Sequence, residues 1–242
     1  MNSKCSVCGV RGGLQCTKCS KISNLKATIS ELNGLLNVSE MLETEAGMEG
    51  INCRYYDNLE FTTMRSNQKE CLSLFHLNIA SLNAHYDELK SLLRDLGGDF
   101  SIIGLTETRL SDNDLPDSLS LSNYNSFHTP REGQCGGSLL YVSKELNITH
   151  RPDLEKMLYE PKNLETSFVE IPRQKQKNII IGCVYRHHEL SAKDFTREYI
   201  RPLLSKVEKE KKLLVLMGDF NINLMEVDSN DAVSNFIDTI GS

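Results

Sequence analysis

The sequence predicts an α/β sandwich, two stacked sheets with helices outside, in which several strand ends gather into one cleft. Three observations predict it. Four apolar, strand-like runs, at residues 72–78, 100–107, 178–186 and 212–221, each stop abruptly on polar side chains. A helix-period segment stands between the first two runs and another between the last two. Further short strand candidates lie between these units, so strands and helices are mixed along the chain rather than segregated.

The elements follow in chain order. Cys5-x2-Cys8-x7-Cys16-x2-Cys19 sets two CxxC pairs within fifteen residues, the thiolate number and spacing that tetrahedral Zn²⁺ takes. Gly9, Gly12 and Gly13 let the connection fold back tightly. Residues 1–20 therefore read as a structural zinc knuckle, or as the first half of a PHD- or RING-type finger, which they resemble. Ile22, Leu25, Ile29, Leu32 and Leu36 recur at 3-4-3-4 spacing, the seam of a short amphipathic helix open to self-association, although Gly34 weakens it by about 1 kcal/mol relative to alanine. Residues 43–70 lack sustained periodicity and read as a linker, so 21–70 is helix plus linker and 71–242 the main domain.

That domain opens with a strand near 71–79. A helix follows, with Asn83 as its cap, Tyr86, Leu89, Leu93 and Leu96 on one face, and Gly97-Gly98 as its end. Strand 100–106 completes the unit. Strands are expected over 136–142 and 167–171, then a polar turn at 173–177 before strand 178–185. Ser191 and Asp194 form a capping box for a helix that turns Phe195, Tyr199, Leu203 and Val207 inward and should kink at Pro202.

Composition excludes some functions. With 39% hydrophobic and 25% charged residues the chain reads as an ordinary soluble globular protein, and no apolar run approaches the roughly 18 residues of a membrane span. The N-terminus lacks a signal-peptide core and the cysteines are clustered or strand-embedded, which points to a reducing, intracellular compartment. The net charge of −6 argues against nonspecific coating of nucleic acid. Its distribution is uneven, since residues 1–30 carry +5 and leave −11 on the rest.

Chemistry concentrates at the strand ends. Asp219 and Asn221 are two apart and so share a face, while Phe220 turns back into the core. Glu107 ends its strand as a natural Mg²⁺ (or Mn²⁺) ligand, because Mg²⁺ needs few carboxylates and keeps several waters. Asn78 ends the first strand, and Tyr185-Arg186 the one at 178–186.

On the wording His76-Leu77-Asn78-Ile79, Leu105-Thr106-Glu107-Thr108-Arg109-Leu110, Val184-Tyr185-Arg186 and Gly218-Asp219-Phe220-Asn221, residues 71 to 240 resemble the endonuclease/exonuclease/phosphatase superfamily with its DNase I-like fold, and most of all the endonuclease domain of non-LTR retrotransposons. The resemblance implies a Mg²⁺-dependent phosphodiesterase that nicks DNA. By it, Asn78 and Glu107 seat the metal or phosphate, Tyr185 donates to a phosphate oxygen, and Asp219 and Asn221 hold the attacking water. It also implies a final Asp-His pair near the domain end, whereas this sequence has no histidine after His188. His187 and His188 read as loop residues rather than substitutes for it. The expectation is therefore a sandwich lacking its last strands, a fragment or degenerate copy that hydrolyses phosphodiesters weakly or not at all, and that is nuclear if functional. The alternatives are a non-catalytic, nucleic-acid-binding remnant working through the cysteine module, and a phosphatase of the same fold.

Overall fold

The structure is a computed structural model that describes residues 57–66, 71–98, 100–111, 115–131 and 136–241. Cys5, Cys8, Cys16 and Cys19, the seam from Ile22 to Leu36, Cys53 and Cys135 lie outside the described residues. The chain divides into two compact units, one of residues up to Leu77 together with Asp87–Ser101, the other of Asn78–Tyr86 together with Ile102–Ser242.

The described part of the first unit is held by three phenylalanines. Helix α1 (Asn58–Ser66) buries Phe61, strand β1 (Leu74–Asn78) buries Phe75, and the ring of Phe100 lies 6.4 Å and 5.1 Å from these two. Arg65 lays its guanidinium 4.0 Å over the Phe100 ring and donates to the carbonyls of Leu96 and Gly98. One side chain thereby stacks on the cluster and satisfies carbonyls past the end of helix α2 (Leu82–Asp95). Ser73 and Ser101 exchange amide-to-hydroxyl bonds at 3.1 Å and 2.9 Å. Helix α1 falls within the stretch that aperiodicity marks as linker; its contact with the core rests mainly on Phe61, so there was no stripe to read.

Helix α2 departs from helical geometry at His85 (φ −122, ψ 17). Its cap is Ser81, whose hydroxyl accepts from the Ala84 amide, while Asn83 lies inside the helix. Leu89 and Leu93 are buried as their spacing predicts, and Gly97 and Gly98 take positive φ to end the element.

In the larger unit β2 (Ile102–Thr106), β4 (Ser138–Ser143) and β3 (Tyr124–Thr129) run side by side with β4 in the middle, both pairings antiparallel. The other sheet is β5 (Thr149–His150), β6 (Leu164–Ile171), β7 (Ile179–Arg186) and β8 (Leu213–Asp219), antiparallel except for the parallel pair β7–β8. β6 and β7 are buried along their whole length, which explains the unbroken apolar run Ile179-Ile180-Ile181 where a one-sided strand would alternate. The sheets meet face to face. The hydroxyls of Ser138 and Ser167 lie 2.7 Å apart, and Cys183 donates to the Leu105 carbonyl. Burial pushes the Cys183 thiol up to about 12.

Helices cover the outer face of the second sheet. Leu154 of α3 (Pro152–Met157), Leu203 and Val207 of α5 (Arg201–Lys209), and Val233, Phe236 and Ile237 of α6 (Asp231–Gly241) pack with Phe168, Ile180 and Val184. Full burial of each such side chain contributes about 1.5–3 kcal/mol. Between β7 and β8 the expected capping residue holds: Ser191 accepts from the Asp194 amide at 3.0 Å, opening α4 (Ala192–Asp194). The expected kink at Pro202 takes another form. Residues Phe195–Ile200 are π-helical, and the Arg201 amide reaches the Thr196 carbonyl five residues back. Proline has no amide for the carbonyl four residues before it, and the wider turn takes up that mismatch while the backbone stays right-handed.

Candidate active site

Three loops at strand ends in the larger unit are tied together by backbone hydrogen bonds. The amides of Ile79, Ser81 and Leu82 donate to the carbonyls of Thr106, Glu107 and Thr108, and the Arg109 amide donates to the Gly136 carbonyl. Such close threading forces unusual backbone: Ala80, Ser81, Glu107 and Arg109 all have positive φ. It also fixes a residue type, since a Cβ on Gly137 (φ +90) would stand 2.4 Å from the Thr108 hydroxyl.

Asn78 is the centre of the arrangement. Its Nδ2 donates to Glu107 Oε1 at 2.8 Å and to Asp219 Oδ2 at 2.6 Å, so one amide group joins the ends of β1, β2 and β8 across 141 residues of sequence. Two carboxylates are thus held as near neighbours, no farther apart than those two bonds allow. The other Glu107 oxygen faces the Arg109 guanidinium at 3.5 Å.

Tyr185 is paired with Asp219 across β7–β8 and with Glu165 across β6–β7. Paired residues project to the same face, so Glu165, Tyr185 and Asp219 form one line across three strands. Glu165 is 2% exposed and lies under the turn at Gly136, where a Cβ would meet its carboxylate oxygens at 2.9 Å. Sequence reasoning missed this acid because the strand was expected to start at Ser167; an acid opening an otherwise buried run was the available signal.

Asp219 is presented by the residue before it. Gly218 (φ +153) runs so close to β7 that a Cβ there would lie 1.9 Å from the Val184 carbonyl oxygen. Phe220 then turns inward, its ring 6.1 Å from Phe195 and 5.8 Å from Phe236. Asn221, expected beside Asp219 with its carboxamide free for a water or phosphate, is used differently. Its backbone amide donates to Asp219 Oδ1 at 3.2 Å, but its Nδ2 donates to the Arg186 carbonyl at 2.6 Å.

Arg186, which its place at a strand end would by itself turn toward solvent, is 3% exposed. It donates to the carbonyls of Phe220 at 2.5 Å and Asn221 at 2.8 Å, and also to those of His187 and Leu190. Burial lowers its pKa, with Asp219 acting the other way. Arg186 and Asn221 therefore form a two-way clamp that fixes the loop after Asp219. His187 and His188 lie on the loop after β7, as expected.

A carboxylate pair with an amide between them is a hard, oxygen-rich donor set, and that chemistry fits Mg²⁺ or Mn²⁺. Comparison with curated protein sequences finds no match. Among solved structures the chain is similar to the APE2 catalytic domain of Xenopus laevis, at 14% identity over 69% of this chain and 67% of that one, with a TM-score of 0.47. It is also similar to the AP endonuclease LMAP from Leishmania major (15% identity, 70% of this chain, 66% of that one, TM-score 0.49). A third is the 3′ phosphatase NExo from Neisseria bound to a product DNA hairpin (17% identity, 70% and 71%, TM-score 0.46). The chain spans about two thirds of the length of these proteins. The family model described as Endonuclease/Exonuclease/phosphatase family matches residues 74–239, so a fold of two mixed sheets with helices outside has its place: this chain belongs to the endonuclease/exonuclease/phosphatase family.

Proposed function

We propose that this chain is a divalent-metal-dependent phosphodiesterase acting on DNA, of the endonuclease type found in non-LTR retrotransposons. The observation that carries the reading is the bridge from Asn78 to both Glu107 and Asp219. A scissile phosphate needs its charge neutralised, a positioned water and a donor on its oxygens. Glu107, with Asn78 beside it, would hold Mg²⁺, which when bound supplies the charge that neutralises the phosphate.

The remaining work belongs to the chain's own side chains. Asp219 accepts a hydrogen bond from the attacking water and draws off its proton. The Asn78 amide keeps the two acids in place and offsets their mutual repulsion in the absence of substrate. Tyr185, in register with Asp219, donates its hydroxyl proton to a phosphate oxygen. Asn221 acts through the clamp with Arg186, fixing the direction in which Asp219 points. The retrotransposon assignment rests on the resemblance of the four strand-end motifs, and a zinc module at Cys5, Cys8, Cys16 and Cys19 would add a second nucleic-acid contact.

Nicking of supercoiled plasmid in Mg²⁺ or Mn²⁺, followed over long incubations, tests the reading. Slow, EDTA-sensitive nicking that disappears in Glu107→Ala and Asp219→Ala is the expected result. Mn²⁺ binding followed by electron paramagnetic resonance is the second readout, since it does not need turnover. Nicking or Mn²⁺ binding that persists unchanged in both variants would overturn the proposal, and preference for a 3′-phosphate over plasmid would redirect it to a phosphatase.

A further inference from the structure

The loop Arg186–Leu190 joins β7 to the helices and carries His187, His188 and Glu189 in succession. In an extended chain successive side chains point to opposite sides, so three consecutive groups converge only if the backbone turns. Here it turns and is tied down. The His187 amide donates to the Asn163 carbonyl at 2.8 Å and the Leu190 amide to the His187 carbonyl at 3.2 Å. The Arg186 guanidinium donates to the carbonyls of both His187 and Leu190. The imidazoles of His187 and His188 end with ring centroids 4.1 Å apart, and the Glu189 amide donates to His187 Nδ1 at 3.4 Å, orienting that ring. One donor atom from each of the three side chains lies within 4.8 Å of the other two.

We infer that His187, His188 and Glu189 form a binding site for a borderline divalent ion, zinc above all, built from none of the residues that bridge Glu107 and Asp219. Two imidazole nitrogens and one carboxylate oxygen are the donor types zinc takes, whereas Mg²⁺ favours oxygen alone. Tetrahedral zinc with Zn–N bonds of about 2.0–2.1 Å sets its donors roughly 3.3 Å apart. Donors as far as 4.8 Å apart need to close by up to about 1.5 Å, which rotation of exposed side chains achieves on a fixed turn. His188 and Glu189 are exposed and His187 half-buried, so water or an anionic oxygen fills the remaining coordination position. This inference does not depend on the phosphodiesterase reading.

Zinc titration of the full chain, followed by long-range ¹H–¹⁵N correlation of the imidazoles, separates this site from thiolate binding. His76, His85, His128 and His150 are internal controls. The expected result is that the resonances of His187 and His188 shift together at zinc concentrations below about 10 μM while the controls stay in place. Excess Mg²⁺ leaves all six unmoved. The double variant His187→Ala/His188→Ala melts like the parent and binds one zinc equivalent fewer, and Glu189→Gln binds zinc more weakly. An unchanged zinc stoichiometry in the double variant would overturn the inference, as would imidazole shifts that appear only at millimolar zinc or that spread over all six histidines.

Discussion

At the scale of single residues, the sequence places Asn78, Glu107 and Asp219 at strand ends, and their geometry gives each a separable, testable role. Replacing Asn78 by alanine leaves two acids facing each other without the amide that joins them at 2.8 Å and 2.6 Å. On the proposed reading Asn78→Ala should cost on the order of 10²-fold in nicking rate, because Glu107 and Asp219 lose their fixed separation. Its melting temperature should stay close to that of the parent; a rate loss matched by wholesale unfolding would contradict this. Gly218 predicts the converse. A Cβ 1.9 Å from the Val184 carbonyl oxygen must push β8 off β7, so Gly218→Ala should destabilise by about 1–3 kcal/mol. At roughly 2–4 °C per kcal/mol for a domain of this size, a thermal melt resolves that loss.

Between elements, an ion network ties α3, β6, α5 and β8. Arg151, preceding α3, meets Glu170 of β6 at 2.7 Å, Asp153 at 2.8 Å and Glu210 at 2.9 Å, and Lys212 contacts Glu170 and Glu210 at 2.7 Å each. Burial pushes the Glu210 carboxyl up, but hydrogen bonds from Arg151, Lys212 and Lys206 outweigh it and lower the group to about 2. For Glu170 burial is likewise outweighed, by Lys212, Asn178 and Arg151, and the net direction is downward. Asp153 is held well below the usual carboxylate range, first by its hydrogen bond from Arg151.

All three carboxylates are depressed, so the stability they contribute is present above their ordinary values and lost as pH falls; for Glu210 that window runs from 4.5 down through the folded value of about 2. Melting temperature should therefore drop across that window. Arg151→Met should flatten the pH dependence and cost about 1–3 kcal/mol at neutral pH, because Glu170, with 9% of its side chain exposed, keeps Lys212 but loses its charge-assisted hydrogen bond from Arg151. A pH profile unchanged in the variant would show that other groups govern acid stability. The clamp of Arg186 on Phe220 and Asn221 is a second link of this kind. Arg186→Leu leaves those carbonyls unpaired, at about 1–3 kcal/mol for each that stays buried.

For the larger unit as a whole, stability depends on how the last helix closes the second sheet. Phe236 of α6 stacks within 6.0 Å of Phe195 and 5.8 Å of Phe220, so the segment after Asp219, the π-helical stretch and α6 share one aromatic cluster. Phe236→Ala should cost about 3–5 kcal/mol and appear as a single cooperative shift in denaturant midpoint. A separate early transition for α6 would show instead that the helix is docked independently.

The strands β2 and β7 were legible in the sequence because burial on both faces writes a nearly unbroken apolar run, and β8 because Leu213 to Met217 is apolar throughout although Met217 alone in it is buried; their ends were legible because these runs stop abruptly on Glu107, Arg186 and Asp219. The family followed from those ends. Elements at the margin were not legible. β3 reads Tyr-Asn-Ser-Phe-His-Thr and β5 is two residues long; both lie at sheet edges, where one flank is unpaired and no alternation is required. Helix α1 lacks a stripe because its burial centres on one phenylalanine.

Tertiary structure alone decided the partners. A strand-end arginine reads as solvent-facing until the Phe220–Asn221 turn comes back over it. An asparagine two residues after an acid reads as a ligand until its amide finds the Arg186 carbonyl. Local sequence determines which side chains end a strand and on which face. Hydrogen bonds spanning 34 to 141 residues are set by how the chain returns, so what those side chains touch is fixed by packing and not by spacing.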